Sequence, residues 1–319
     1  MDDESILNKL KKNILKILIT IIFTVLLLYL IFKKIDLQVT IETFKSINTF
    51  TIIFPFFLYT LSHFFRGLRF YFILEKQVPF KKMLNIVFVH NFFNSVLPLR
   101  LGELSYIYLL KKESIEGTKG LFTLGAVRLF DLVSIFIFFS LALLFTTLNN
   151  SVFNIFILIY FLILLLVLIL IIFFRKMIFN FIKNIHSSTK ITFIQKALAK
   201  LIETLQHFGV LKSKKNLVYI LITSILVWLF ALSTGYFIVS PFINISFFVV
   251  VIGLCFTMLT YILPIQGFMG FGTTEGAWAL VLIFFGFSSE LAIATGFTFH
   301  VLSLGYASLL GVFGILRIK

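Results

Sequence analysis

Long apolar segments alternate with short polar ones along most of this chain. Several continue for more than about 18 residues without a charged residue, and residues 155–174 are the clearest example. Because about 20 apolar residues of helix cross a hydrocarbon core about 30 Å thick, this pattern predicts membrane-spanning helices. The predicted spans are residues 13–32, 50–74, 121–148, 152–174, 217–239 and 291–316.

Two further apolar segments, residues 83–110 and 247–287, are interrupted by proline, glycine and charged residues. Proline breaks a helix, and irregular backbone at membrane depth must be buried in protein or line a wet cavity. Each segment is therefore predicted to be a re-entrant hairpin of two half-helices, with full crossing of the membrane as the alternative. The interrupting backbone residues are Pro98 and Gly102 in the first segment and Pro264, Gly270 and Gly272 in the second.

Composition supports a membrane protein. The chain is 60% hydrophobic and 13% charged, whereas soluble domains average about 45–50% apolar and about 25% charged residues. The apolar segments are continuous rather than alternating, which disfavours a β-barrel. The predicted fold is all-α: one polytopic helical membrane domain over residues 1–319, built from two inverted repeats. Each repeat has two spans, a re-entrant hairpin and one span, at about residues 13–148 and 152–316.

The net charge of +15 bears on topology rather than on nucleic acid, since cytoplasmic loops of membrane proteins carry an excess of Lys and Arg. With the N-terminus inside, all but five of the 28 Lys and Arg residues fall on the cytoplasmic side. The five are Lys33, Lys34 and Lys45 outside and Arg100 and Arg128 within the membrane. This distribution predicts a multi-pass protein of the cytoplasmic membrane with both termini cytoplasmic.

Four acidic or basic residues at predicted membrane depth are candidates for function: Glu103, Arg128, Asp131 and Glu275. Such charges cost about 2.5–3.5 kcal/mol on insertion scales, so they face a partner or water. Arg128 and Asp131 are three residues apart and can pair, either to join two helices or to present the guanidinium to a phosphate. Glu103 and Glu275 each begin a half-helix, where the helix dipole stabilises a carboxylate; alternatively they bind a proton, a cation or an amine. The same number of residues separates Glu103 from Arg128 and Glu275 from His300.

Two further features have both a structural and a functional interpretation. His63, Arg66 and Arg69 share one helix face, which either reaches the lipid headgroups or forms a phosphate-binding entrance. The polar segment 175–216 contains an apolar helix face from Ile191 to Phe208, which predicts a cytoplasmic amphipathic helix on the membrane surface or against another loop. The single cysteine and five scattered histidines give no metal-site spacing, and no nucleotide-binding motif appears, so we expect no metal and no cofactor.

The motifs resemble the flippase-like transmembrane region of lysylphosphatidylglycerol synthases, over about residues 10–316. They are Arg66-x-x-Arg69, Asn94-x-x-Leu97-Pro98-x-Arg100-x-Gly102-Glu103, Arg128-x-x-Asp131 and Pro264 followed by Gly270-x-Gly272-x-x-Glu275. The resemblance implies a stand-alone membrane protein. The soluble aminoacyl-transferring domain of the full synthases is absent from this sequence, so synthase activity is not implied. His300 stands where the resemblance leads us to expect an arginine.

We therefore predict a flippase or transporter, rather than an enzyme, that moves or binds an anionic phospholipid or polyprenyl-phosphate-linked lipid across the cytoplasmic membrane. The predicted substrate-binding residues are Arg66, Arg69, Asn94, Arg100, Glu103, Arg128, Asp131, Glu275 and His300. One alternative is an integral membrane glycosyl- or lipid-headgroup transferase that uses Asp36 and Glu42. Another is a membrane scaffold that contacts partners through Ile191 to Phe208.

Overall fold

The computed structural model describes residues 48–97, 102–146, 159, 162, 175–188, 194–195, 198–199, 202–204, 213–260 and 268–318. Several predicted features lie wholly or mostly outside these residues. They are the spans 13–32 and 152–174, the acidic residues Asp36 and Glu42, the hairpin residues Pro98, Arg100 and Pro264, and most of the segment from Ile191 to Phe208.

Nine α-helices are bounded within the described residues, which contain no strand. They are α1 (Thr49–Ile73), α2 (Phe80–Val96), α3 (Gly102–Lys112), α4 (Gly117–Phe145), α5 (Arg175–Ser188), α6 (Lys214–Val239), α7 (Phe247–Thr260), α8 (Thr273–Phe284) and α9 (Ser289–Arg317). Within this part of the chain, three helices are long and apolar enough to cross a membrane: α4, α6 and α9. The all-α prediction is confirmed.

The first interrupted segment consists of α2 and α3. Helix α2 ends at Val96, and Leu97 has extended backbone. Helix α3 packs against α2 and begins at Gly102, where a Cβ atom would overlap the backbone of Asn94. Only glycine permits this close approach of the two chain segments. The ring of His90, which is 3.1 Å from the carbonyl oxygen of Gly102, also joins the two helices.

The second interrupted segment consists of α7 and α8, with a short 3₁₀ turn at Phe268–Gly270 before α8. Met269 and Gly270 have positive φ angles of 55° and 83°, so the backbone bends sharply just ahead of the helix. Helix α8 then starts at Thr273, and the Glu275 carboxylate accepts a hydrogen bond from the backbone N–H of Gly272 at 2.7 Å. Glu275 thus satisfies one of the amide groups that a helix leaves free at its N-terminus.

Helices from the first part of the chain pack against helices from the second part. Helix α1 packs along α6, α2 packs along α9, and α4 contacts α7. Small residues permit close helix contacts in membranes, and Gly311 of α9 lies against Phe92 of α2 in this way. As a result, residues from both parts of the chain surround one cavity.

Candidate functional site

A cavity of about 380 Å³ lies between α1, α2, α4, α6, α7, α9 and the Met269–Gly270 bend. Its size is within the range of small-molecule sites, about 300–1,000 Å³. Apolar side chains line much of it, and the predicted site residues among its lining are Arg66, Asn94, Arg128, Asp131, Gly270 and His300. Residues separated by more than 200 positions in the sequence are thus brought to one place.

Arg128 of α4 pairs with Glu103 at the start of α3. The guanidinium Nη2 donates to Glu103 Oε1 at 2.9 Å, across 25 residues of sequence. Both side chains remain partly accessible, Arg128 at 41% and Glu103 at 31%. Arg128 is among the residues that line the cavity, so Glu103 holds its guanidinium while part of it stays available to a ligand.

Glu275 pairs with His300 of α9, also across 25 residues of sequence. The ring Nδ1 lies 2.6 Å from Glu275 Oε1, and the ring Nε2 lies 3.1 Å from the carbonyl oxygen of Met269. In contrast to the first pair, these side chains are only 4% and 1% exposed. His300 lines the cavity, and Glu275 holds the ring.

Asp131 pairs with Arg69 rather than with Arg128. Arg69 Nη1 donates to Asp131 Oδ1 at 2.7 Å and to the hydroxyl of Ser224 at 3.2 Å. The indole N–H of Trp228 donates to the same carboxylate oxygen at 2.8 Å. The Arg69 side chain has no exposed surface, and its hydrogen bonds join α1 to α4 and α6. A buried charge requires a partner, and the packing of α1 against α4 places Arg69 next to Asp131.

Arg66 differs from the other arginines of the site. Its Nη1 makes a long hydrogen bond of 3.5 Å to Asn91 Oδ1, and its buried Nε has no partner in the described part of the chain. Asn91 is itself held by a hydrogen bond of 2.8 Å to the Tyr59 hydroxyl. Arg66 therefore brings to the cavity a guanidinium that is not neutralised by an ion pair among the described residues.

Asn91, Ser224 and Trp228 were not predicted as site residues from the sequence. A polar residue three positions before Asn94 on one helix face could have indicated the first of these. A tryptophan inside an apolar span could have indicated Trp228, since a buried indole N–H needs an acceptor. Within the described ranges, no group of three or more His, Cys, Asp and Glu side chains is arranged to hold a metal ion.

The long apolar helices indicate an integral membrane protein. Residues 13–311 match the family described as the lysylphosphatidylglycerol synthase TM region, and the chain belongs to this family. No curated protein and no solved structure matches the chain significantly.

Proposed function

We propose that this protein moves an anionic lipid across the cytoplasmic membrane, with the headgroup in the cavity and the hydrocarbon chains in the surrounding lipid. The observation that carries the proposal is the position of Arg66 and Arg128 in one cavity lined by residues from both parts of the chain. The family's description supports a lipid as substrate, since it refers to the transmembrane region of a lipid synthase.

The charges of the site suit a phosphate group. The Arg69–Asp131 and Arg128–Glu103 pairs each balance one positive charge with one negative charge. Arg66 remains, so the cavity has an excess positive charge when the Glu275–His300 pair is neutral as a whole. The planar guanidinium groups of Arg66 and Arg128 offer paired N–H donors, which match the oxygens of a phosphate.

The proposal includes two inverted repeats with hairpins entering from opposite sides, and both termini in the cytoplasm. Helices α1, α2, α3 and α4 have 25, 17, 11 and 29 residues, and α6, α7, α8 and α9 have 26, 14, 12 and 29. This parallel order supports a repeat. Secondary transporters often bind substrate between such repeats and alternate access by rocking one against the other.

Reconstitution into vesicles tests the proposal. Vesicles with fluorescently labelled phosphatidylglycerol in both leaflets would be treated with a reducing agent that reaches only the outer leaflet. The wild-type protein should allow loss of the inner-leaflet signal. The triple variant Glu103→Gln, Arg128→Ala, Glu275→Gln should not. Lys82→Met, which breaks an exposed ion pair with Glu113, is the matched control and should retain translocation. Normal translocation by the triple variant would overturn the site.

A further inference from the structure

Both ring nitrogens of His300 face hydrogen-bond acceptors. Nδ1 is 2.6 Å from a carboxylate oxygen of Glu275, and Nε2 is 3.1 Å from the carbonyl oxygen of Met269. The second oxygen of Glu275 already accepts the N–H of Gly272. A neutral imidazole has one N–H and one lone pair, so it cannot donate to both of its neighbours.

Two arrangements of protons satisfy this geometry. In one, an imidazolium donates to a carboxylate and to the Met269 carbonyl. In the other, a carboxylic acid on Glu275 donates to Nδ1 while Nε2–H donates to Met269. Both contain the same number of protons and have no net charge. Removal of one proton leaves a net negative charge between side chains that are only 4% and 1% exposed.

We propose that the Glu275–His300 pair is a proton-binding site and that it couples proton uptake to occupancy of the cavity. The coupling rests on the proposed function, whereas the proton site does not. The proposal supplies the coupling ion for translocation. In the Glu103–Arg128 pair, by contrast, the arginine keeps its proton, so the side chain at position 128 cannot release one.

The position of His300 connects the proton to the cavity. His300 and Gly270 both line it, and the Nε2–Met269 bond holds the bend in which Met269 and Gly270 have positive φ angles. Loss of the proton therefore breaks either the contact to Glu275 or the contact to the bend. The bend forms part of the cavity wall, so its release changes the binding site.

The charged and titratable groups around His300 set the direction of the coupling. Helix α8 contributes Glu275. The other charged and titratable residues that line the cavity are Tyr59, His63 and Arg66 from α1 and Arg128 and Asp131 from α4. The polar residues that line it from two other helices include Asn91 and Asn94 of α2 and Trp228 and Thr234 of α6. An anion in the cavity offsets the positive charge of the arginines and favours the protonated pair. By linkage, the anion binds more tightly when the proton is present, and its affinity falls as rising pH removes the proton.

The proton site is tested without any lipid. The protonation of the histidine rings is followed against pH by nuclear magnetic resonance of protein with ¹⁵N-labelled histidine. The signal of His300 is assigned as the one that is lost in His300→Gln. In Glu275→Gln the His300 ring should give up its proton at a lower pH than in the wild type, while the ring of His186, on α5, should titrate identically in both. Identical His300 titrations in the two proteins would overturn the proton site.

The coupling is tested by binding of dioctanoyl phosphatidylglycerol, whose phosphodiester keeps a constant charge between pH 6 and pH 8. Wild-type affinity should fall with rising pH, by up to about tenfold per pH unit for one linked proton. His300→Arg, which has a fixed charge, should lose this dependence, and His186→Gln should keep it. Persistence of the pH dependence in His300→Arg, or its absence in the wild type, would overturn the coupling. Absence of binding at every pH would overturn the proposed function, and the resonance experiment would still decide the proton site.

Discussion

Replacing Asp131 by leucine removes the carboxylate that neutralises Arg69, whose side chain has no exposed surface. The substitution also takes away the acceptor of the Trp228 indole N–H, which lies 2.8 Å from Asp131 Oδ1. Removing one partner of a buried ion pair costs about 3–5 kcal/mol, because the remaining charge stays buried without a partner. We therefore expect Asp131→Leu to lower the free energy of unfolding by about that amount, which changes the folded-to-unfolded ratio by about two to four powers of ten.

Two further variants separate the charge from the hydrogen bonds, and a third is a surface control. Asp131→Asn keeps an oxygen acceptor and loses only the charge, so its loss of stability should be smaller than that of Asp131→Leu. The double variant Arg69→Met, Asp131→Leu removes both charges and should recover most of the loss, because apolar residues of similar volume replace a buried pair well. Lys82→Met breaks a pair in which the lysine is 59% exposed and should cost less than about 1 kcal/mol.

The measurement is unfolding of the purified protein in mixed micelles with increasing sodium dodecyl sulfate, followed by circular dichroism. Dichroism is preferred to fluorescence because Asp131 contacts Trp228, one of only two tryptophans in the chain. If Asp131→Leu is no less stable than Lys82→Met, or if the double variant is as unstable as Asp131→Leu, the reasoning about the buried pair is refuted.

Three other predictions concern the hairpin, the cavity and the topology. Gly102→Val should lower the free energy of unfolding by about 1–3 kcal/mol in the same assay, because its side chain would overlap the backbone of α2; Gly125→Val, where a Cβ meets nothing within 4 Å, is the matched control and should cost less. Arg128→Lys keeps the charge but not the planar fork, so translocation in vesicles should fall, though by less than in Arg128→Ala; equal activity of Arg128→Lys and wild type would contradict bidentate binding. Single cysteines in a cysteine-free background should react with a membrane-impermeant maleimide from the cytoplasmic side at Ser114→Cys and from outside at Ser288→Cys, and reaction of both from one side would contradict opposed hairpins.

The spans were the most predictable part of the fold. The predicted span 50–74 corresponds to Thr49–Ile73, and the predicted span 291–316 corresponds to Ser289–Arg317. Continuous apolar composition sets the second of these helices almost regardless of its neighbours. The first is a helix where one was predicted, but it contains Pro55, Arg66 and Arg69 and is not among the three helices that are long and apolar enough to cross a membrane. Within the interrupted segments, glycine and the change to polar residues placed the breaks near Gly102 and Gly272, where α3 and α8 begin.

Which charged side chains pair with each other in the site was much less predictable. Spacing on one helix suggested that Arg128 pairs with Asp131, but Arg128 pairs with Glu103 and Asp131 pairs with Arg69. Spacing describes only residues on the same helix, whereas these partners come from α3 and α1 through tertiary packing. For the same reason Arg69, which was predicted to lie at an entrance, is fully buried among three helices.

The two glutamate pairs explain why an arginine suits position 128 and a histidine suits position 300. Under the proposed repeat, exchanging the two parts of the chain maps α4 on α9 and α2 on α7, and the observed contacts α2–α9 and α4–α7 map on each other. The same exchange maps Glu103–Arg128 on Glu275–His300, each 25 residues apart.

The first pair is 31–41% exposed, so a permanent guanidinium charge keeps contact with water or ligand. The second pair is at most 4% exposed, where a permanent charge costs more. In a histidine–carboxylate pair, the transfer of one proton from the ring to the carboxylate leaves both side chains uncharged. Burial thus favours the titratable residue at position 300, and this residue is the one through which a proton can act on the cavity.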